Sequence, residues 1–510
     1  MFKKNRKLTK QAPVKQEAAT EKLAYDLQTN TDEIQEQFGK KSDLAIRFFE
    51  EMKMAVVYIE SLVDNETIQT HVIEELNNQK AKLGATPLKE ISLSVKKVIQ
   101  IETSQQLKEQ LLQGYTVILK DGERIAIAAE TSGGDKRPVS ESTNESVVRG
   151  PRDAFNESLM TNIGLIRKRI HTEKLKIYKC KIGTLSKTAV AILYIEGAAK
   201  DENFQEVKSR IEKIEIDGIL ESLYVEEMIE DPNGYTPFPT IFNSERPDRI
   251  TAGLLEGRIA ILVDGTPAAL LVPATIGLFL TSNEDYYQRY DFGSFMKMLR
   301  AFAYLLSFVL PGFYVSILTY HQEMIPTPLL IALTGQREGV PYGVAVEIVL
   351  MELTFEILRE ASLRLPKTIG AAVSIVGGLV LGQAAVEAGL VGQATVIVVS
   401  FTAICAFTTP SYNLAIAARI LRFAVIFLCA ILGIFGLFFC LIVLFTHLNK
   451  LRSFGSPFLS PFVPYHKKSW MDFFFRHPWW SMETRPNEIA GSNQRRMPEE
   501  SNNPHMRRRK

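Results

Sequence analysis

The chain has 510 residues, with 59 Lys and Arg against 57 Asp and Glu, a net charge of +2 and 46% hydrophobic residues. That balance excludes a strongly basic nucleic-acid binder, and four cysteines, three inside apolar runs, exclude a disulfide framework. The averages also merge two unlike parts, because long apolar runs recur only between Gly293 and His447.

Residues 1–40 are rich in Lys, Gln and Glu and lack apolar periodicity, so they read as a disordered basic arm with no signal peptide. Residues 41–130 are expected to form a first α/β subdomain. It starts with a helical repeat through Leu44, Phe48, Met52 and Val56 and continues with a second helix around Thr67–Gln79. A third, Ser104–Gln113, stops at Gly114. Tyr115–Leu119 and Arg124–Ala128 flank Asp121-Gly122 as a hairpin. The composition of 131–146 is that of a linker.

A second α/β subdomain is expected over 147–290. Helix Ala154–Arg169 precedes strands Leu175–Lys181 and Ala189–Ile195, helix Asn203–Lys213 and the apolar stretch Ile219–Val225. Pro232–Pro247 is too rich in proline for a helix, and Arg258–Val263 with Ala268–Val272 suggests another hairpin. Tyr286, Tyr287, Tyr290 and Phe292 fit either an interfacial aromatic belt or a packed soluble surface.

Residues 291–450 read as a helical transmembrane bundle of four to five spans. Ala301–Leu318, Ile369–Leu390 and Phe423–Phe445 approach or exceed the roughly 20 apolar residues needed to cross a bilayer, and Ala394–Thr408 is a shorter fourth run. Pro311-Gly312 predicts a kink in the first. Lys297 and Arg300 before the first run, and Lys450, Arg452, Lys467 and Lys468 after the last, favour four crossings with Val344–Arg364 at the far surface. Arg419 and Arg422 then fall on the wrong side for their charge, and five crossings would cure that while exporting the basic tail. Residues 451–510 read as a juxtamembrane aromatic and basic segment, disordered beyond Met482. The fold class is therefore an α/β soluble N-terminal region of two subdomains followed by an all-α transmembrane bundle.

No phosphate-binding loop, dinucleotide fingerprint or set of metal-ligand spacings occurs, so neither an enzyme nor a cofactor is expected. The unusual chemistry is polar residues among apolar ones. On Val344–Arg364, Glu352, Glu356, Arg359, Glu360 and Arg364 share one arc, and Glu347 lies outside it. Gly370, Ser374, Gly378 and Gly382 form a small-residue stripe suited to subunit packing. Glu347, Gln383 and Glu387 are candidate pore-lining groups, with Val376 or Val380 as a dewetting gate. The competing reading has Glu347 snorkelling and Glu387 ending a helix at the surface. Repeated around a ring, the carboxylates would favour monovalent cations.

Val147–Phe155 (VVRGPRDAF), Pro237–Asp248 (PFPTIFNSERPD), Gly253–Pro273, Tyr320–Leu330, Arg337–Tyr342 (REGVPY), Leu358–Gly370 and Val380–Val391 together resemble the A subunits of GerA-type spore germinant receptors, over roughly residues 40–465. The resemblance implies the inner membrane of a bacterial spore, a cytosolic N-terminal domain and a ring of A subunits around an ion-conducting pore. It also implies a transporter-like B subunit and a lipoprotein C subunit as partners, with nutrient binding as the trigger. A secondary transporter or accessory subunit is the alternative. It would be expected to show ten or more spans or inverted repeats, and no internal repeat is apparent.

Overall fold

The computed structural model describes residues 22–78, 87–91, 93–133, 145, 147–366, 369–370, 377–465, 472–486 and 488–497. The chain divides into two compact units. The first runs to residue 137 and takes in Ile170–Ile177, and the second holds the remainder.

In the first unit, β1 (Leu44–Phe49) and β2 (Met54–Ile59) form an antiparallel hairpin, pairing Leu44 with Ile59 and Phe49 with Met54. This replaces the expected helix through Leu44, Phe48, Met52 and Val56. β2 is buried along its whole length: Met54, Val56 and Tyr58 enter one core, and Val57 and Ile59 the opposite one. Alternate residues of a strand point to opposite faces, and β-branched residues suit it, so burial on both sides overrides the helical spacing. β3 (Val98–Ile101), β4 (Tyr115–Lys120) and β5 (Ala126–Glu130) complete a five-stranded sheet in the order β1-β2-β4-β5-β3.

Helix α1 (Leu27–Phe38) lies within the segment read as a disordered arm. Asp26 caps it by accepting from the Thr29 amide at 2.9 Å, and Ile34 and Phe38 are buried with Leu23. Leu27, Ile34 and Phe38 recur at helical spacing, a stripe too sparse to register against the surrounding Gln and Glu.

The second unit opens with α3 (Leu159–Arg167), following the first unit's α2 (Ser104–Leu112) in our numbering. Its sheet comprises β6 (Leu175–Ile182, of which Leu175–Ile177 count with the first unit), β7 (Thr188–Ile195), β8 (Phe242–Ser244), β9 (Ile259–Val263) and β10 (Ala269–Val272). Helices α4 (Asp201–Glu212), α5 (Ser222–Ile229) and α6 (Pro247–Glu256) connect them. Ile219–Val225 thus runs into a helix.

The strand order is β6-β7-β9-β10-β8, the order of the first sheet advanced by five. The sequence carries the same duplication. Val57–Glu66 (VYIESLVDNE) matches Leu193–Glu202 (LYIEGAAKDE), and Leu111–Gly122 (LLQGYTVILKDG) matches Leu254–Gly265 (LLEGRIAILVDG). In both copies a helix ends on a glycine with positive φ, 84° at Gly114 and 99° at Gly257, where a side chain would be strained. The internal repeat that escaped the sequence reading is therefore present, in the α/β regions.

The bundle follows. α7 (Tyr290–Tyr320), α9 (Val344–Arg364), α11 (Gln393–Phe407), α12 (Tyr412–Leu432) and α13 (Ile434–Lys450) are its long helices, with α8 (Thr327–Gly335) and α10 (Gly382–Glu387) short. α7 and α12 are long and apolar enough to cross a membrane. They run parallel. Arg422 Nε donates to the Ser307 carbonyl at 2.8 Å, and the Tyr320 hydroxyl donates to the Ala430 carbonyl at 2.8 Å. α9 and α11 run the other way, because Glu347 and Thr395 bond at the level of Tyr314 while Glu352 meets Arg422 at the level of Ser307.

The expected single span Phe423–Phe445 is broken at Gly433, whose φ of 61° and ψ of −144° turn the chain. A Cβ on Gly436 would stand 2.3 Å from the Leu428 carbonyl oxygen, so α12 and α13 fold back as a tight hairpin. Gly370 lies against Ser362, Gly382 against Val396 and Gly389 against Gly339. The described residues therefore give six runs along the bundle (α7, α9, the two ends of 369–390, α11, α12 and α13), beside an expectation of four to five spans. Val344–Arg364 packs against α7, α11 and α12.

Pro311 lies within α7, which continues past it. Gly312 beside it is a close approach of α7 and α12: a Cβ there would fall 2.6 Å from Val425 Cγ1 and 3.0 Å from Cys429 Sγ. Gly312→Leu is expected to cost about 1–3 kcal/mol by overpacking, read as a lowered melting temperature of the detergent-solubilised chain. Gly335→Leu is the control, because a Cβ at Gly335 would have nothing within 4 Å. Equal melting of the two variants would refute this packing.

The last helix feeds a tail that docks on the second α/β region, where disorder was expected beyond Met482. The Ser453 hydroxyl donates to the Thr240 carbonyl at 2.6 Å and accepts from the Ala274 amide at 2.8 Å. Gly491 and Asn493 amides donate to Ala198 and Gly197 carbonyls at 2.7 and 2.8 Å, and Arg496 pairs with Glu256 at 2.9 Å. Beyond Met482 the contacts are mostly of backbone and charge, with Ile489 and Ala490 the buried apolar residues, so no apolar periodicity announces them.

Candidate functional site

The membrane-depth polar residues resolve into ion pairs held between helices. Glu347, in the first turn of α9, is fully buried and accepts from Arg337 at 2.8 and 3.1 Å, from the Gly392 amide at 3.0 Å and from the Thr395 hydroxyl at 3.0 Å. Five residues on, Glu352 is also fully buried and accepts from Arg422 of α12 at 2.5 Å. One further turn along, Arg419 lies 3.3 Å from Glu356. Three carboxylates of one helix thus meet three arginines from elsewhere in the bundle. A charge in an apolar interior is tolerated when paired and further hydrogen-bonded.

Glu347, a candidate pore-lining group, is thus buried against a charged partner within the chain. All its described contacts are internal, and Gly392 and Thr395 hold the carboxylate away from the bundle surface. Gln383 and Glu387 are exposed and bonded to one another at 2.8 Å, with Val380 exposed one turn earlier. Val376 and Ser374 lie outside the described residues. The small-residue stripe does not present a single outer face. Gly370 is buried against the Ser362 carbonyl, 2.7 Å from a hypothetical Cβ, and Gly382 faces Val396 within the chain, whereas Gly378 is open.

Sequence reasoning missed Arg337, Arg419 and Arg422 as partners. The signal was present: Glu352 and Glu356 are one helical turn apart, and Arg419 and Arg422 offer the matching spacing on another apolar helix. Arg419 and Arg422 had stood out only as a violation of the positive-inside tendency. In the bundle Arg422 lies midway along α12 and Arg419 one turn nearer its start, and each is paired with a carboxylate of α9.

The foot of α7 is clamped as firmly. Asp285 accepts from Arg300 at 2.8 and 3.2 Å, and Lys297 donates to the Tyr286 hydroxyl at 3.0 Å and the Asp472 carbonyl at 2.9 Å. Beside it, Asp248 accepts from Arg246 at 2.8 and 3.0 Å and from the Tyr287 hydroxyl at 2.6 Å. Burial pushes the Asp248 carboxyl up, but these hydrogen bonds outweigh it and hold the group below the usual carboxylate range. Tyr286 and Tyr287 are thus packed, and only Tyr290 and Phe292 keep exposed rings suited to an interfacial belt.

Two duplicated antiparallel α/β regions and a helical bundle with paired interior charges define a protein with a polar folded front and an apolar helical rear, which suggests membrane association. The chain belongs to the family described as Bacillus/Clostridium GerA spore germination protein, whose profile matches residues 32–488. Spore germination protein KA of Bacillus subtilis (strain 168) is 43% identical over 476 residues, covering 92% of this chain and 87% of that protein. Spore germination protein A1 of the same organism is 38% identical over 436 residues, covering 86% of each. A crystal structure of the N-terminal domain of the A subunit of the Bacillus megaterium spore germinant receptor GerK3 is 36% identical. It covers 51% of this chain and 98% of that one, with a TM-score of 0.39. The resemblance drawn from the short motifs therefore holds at the level of the family.

Proposed function

We propose that this chain is the membrane subunit of a nutrient-germinant receptor in bacterial spores, whose copies assemble around an ion-conducting pore that opens in response to nutrient. The observation that carries this reading is the family match through both the α/β regions and the bundle. In this reading the six runs of the bundle are six crossings of the spore inner membrane, with the α/β regions and the docked tail together on the cytosolic side. An even number of crossings agrees with the tail packing on the second α/β region.

Glu347 belongs to the internal frame, so the pore side of the reading rests on Gln383, Glu387, Val380 and Val376. The exposed side chains of Val380, Gln383 and Glu387 face a neighbouring copy or a shared axis at low cost, and acidic groups repeated around it favour monovalent cations. Gly378, the open position of the stripe, is the natural contact for a neighbour. Partners are a transporter-like subunit and a lipoprotein subunit.

The test is cation flux into liposomes carrying the reconstituted receptor, with and without nutrient, for wild type, Glu387→Gln and Val380→Ser. Glu387→Gln is expected to lower cation over anion selectivity several-fold, and Val380→Ser to leak without nutrient. Wild-type selectivity in the first variant with a tight second one would remove this segment from the pore. Movement of the nutrient itself would favour the transporter reading.

A further inference from the structure

One cluster inside the bundle carries an unbalanced charge and unfilled hydrogen-bonding atoms. Arg359, Arg419 and Arg422 gather there with Glu352 and Glu356. Arg359 stacks over the Phe407 ring with its guanidinium 5.3 Å from the ring centre and lies within electrostatic reach of Arg419, Arg422 and Glu356. Three guanidinium groups against two carboxylates leave one positive charge. Glu360, the next acid on α9, points outward and pairs with Arg364 at 2.6 Å, so it does not restore the balance.

The hydrogen bonding is incomplete in the same place. Arg422 is 1% exposed, and its Nη2 has no hydrogen-bond partner among the described residues. Arg419 Nε faces Glu356 at 3.3 Å as an ion pair without an aligned hydrogen bond, and Glu352 Oε1 and Glu356 Oε1, both buried, have no hydrogen-bond partner among the described residues. An unfilled donor on a buried guanidinium is costly, and native interiors fill such positions with water or an ion. Donors and acceptors left open side by side call for water, and the extra positive charge calls for an anion to accompany it.

We propose that this cluster is a hydrated binding site for a small inorganic anion, held by the free edge of Arg422, with Arg359 supplying the uncompensated charge. Water fills the carboxylate positions that an anion would avoid. The half-buried Arg359 marks the way in. The site is distinct from the Val380–Glu387 segment and does not depend on whether the assembled chains conduct.

Cys405, buried and within electrostatic reach of Arg422, is a native reporter. In the full chain carrying Cys180→Ser, Cys429→Ala and Cys440→Ala, its labelling rate is measured with two methanethiosulfonates of similar size, one bearing a sulfonate and one a trimethylammonium group. Each rate is divided by that reagent's rate on the unfolded chain. A second reporter, Thr409→Cys with Cys405→Ala, lies two residues beyond Phe407 and guards against occlusion of the first. The sulfonate reagent is expected to react about tenfold faster than its cationic counterpart, and Arg359→Gln to bring the ratio near one. Chloride at constant ionic strength is expected to slow only the sulfonate reagent. Equal rates for both reagents in the wild-type background, a preference that survives Arg359→Gln, or unreactive thiols at both positions would each overturn the proposal.

Discussion

Glu352→Gln and Arg422→Met should each destabilise the bundle by about 3–5 kcal/mol, the usual cost of leaving one charge of a buried pair without its partner. Arg422 is 1% exposed and Glu352 fully buried, so no solvent replaces the lost contact, and Arg422 also anchors the Ser307 carbonyl of α7. The double variant Glu352→Leu with Arg422→Met removes both charges at similar volume and should recover most of the loss. The comparison pair is Glu360 with Arg364, equally short at 2.6 Å but with side chains 60% and 79% exposed. There Glu360→Gln should change stability by less than ~0.5 kcal/mol. Melting of the detergent-solubilised chains, followed by size-exclusion fluorescence, reads all four. Equal effects at the buried and exposed pairs, or a double variant as unstable as either single one, would mean that the pair does not fasten α9 to α12.

That pair also shows where sequence reading stopped. Helices were legible wherever an apolar run had no competing pattern, as in Ala301–Leu318. The hairpins at Asp121-Gly122 and Asp264-Gly265 were legible because only a few residue pairs suit such turns. β1 and β2 were lost because Leu44, Phe48, Met52 and Val56 satisfy a helical spacing while Val56 and Val57 are buried on opposite faces of a sheet. The break at Gly433 was hidden because a glycine inside 23 apolar residues looks like a packing position until its φ of 61° is known. The ion pairs were hidden for a different reason. Charges on α9 read as a wet arc in isolation, and their burial depends on arginines 63 to 70 residues away in sequence, which helical periodicity cannot reach.

The second large effect is expected in the α/β region, at Glu226. This carboxyl lies on α5, is 4% exposed, and its Oε2 has no hydrogen-bond partner among the described residues. Burial first, and then the negative charges of Glu230, Glu221 and Glu227, push its pKa up to about 8 from an ordinary 4.5. The group is therefore protonated in the folded chain at neutral pH and ionised in the unfolded one. Below pH 4.5 both forms are protonated and the folded state bears no penalty. As the pH rises from 4.5 towards 8 the unfolded chain gains stability by releasing its proton, so the folded region loses ground, and above 8 the full penalty applies. The span corresponds to a loss on the order of 3–5 kcal/mol. Hydrogen exchange of peptides covering Ser222–Ile229, corrected for the intrinsic pH dependence and referenced to Ser104–Leu112 of the other unit, should show protection falling between pH 5 and 8.5. Glu226→Gln should flatten that slope and exceed wild-type protection at pH 8.5, because the amide cannot ionise. A slope that survives in the glutamine variant would place the pH response on some other group.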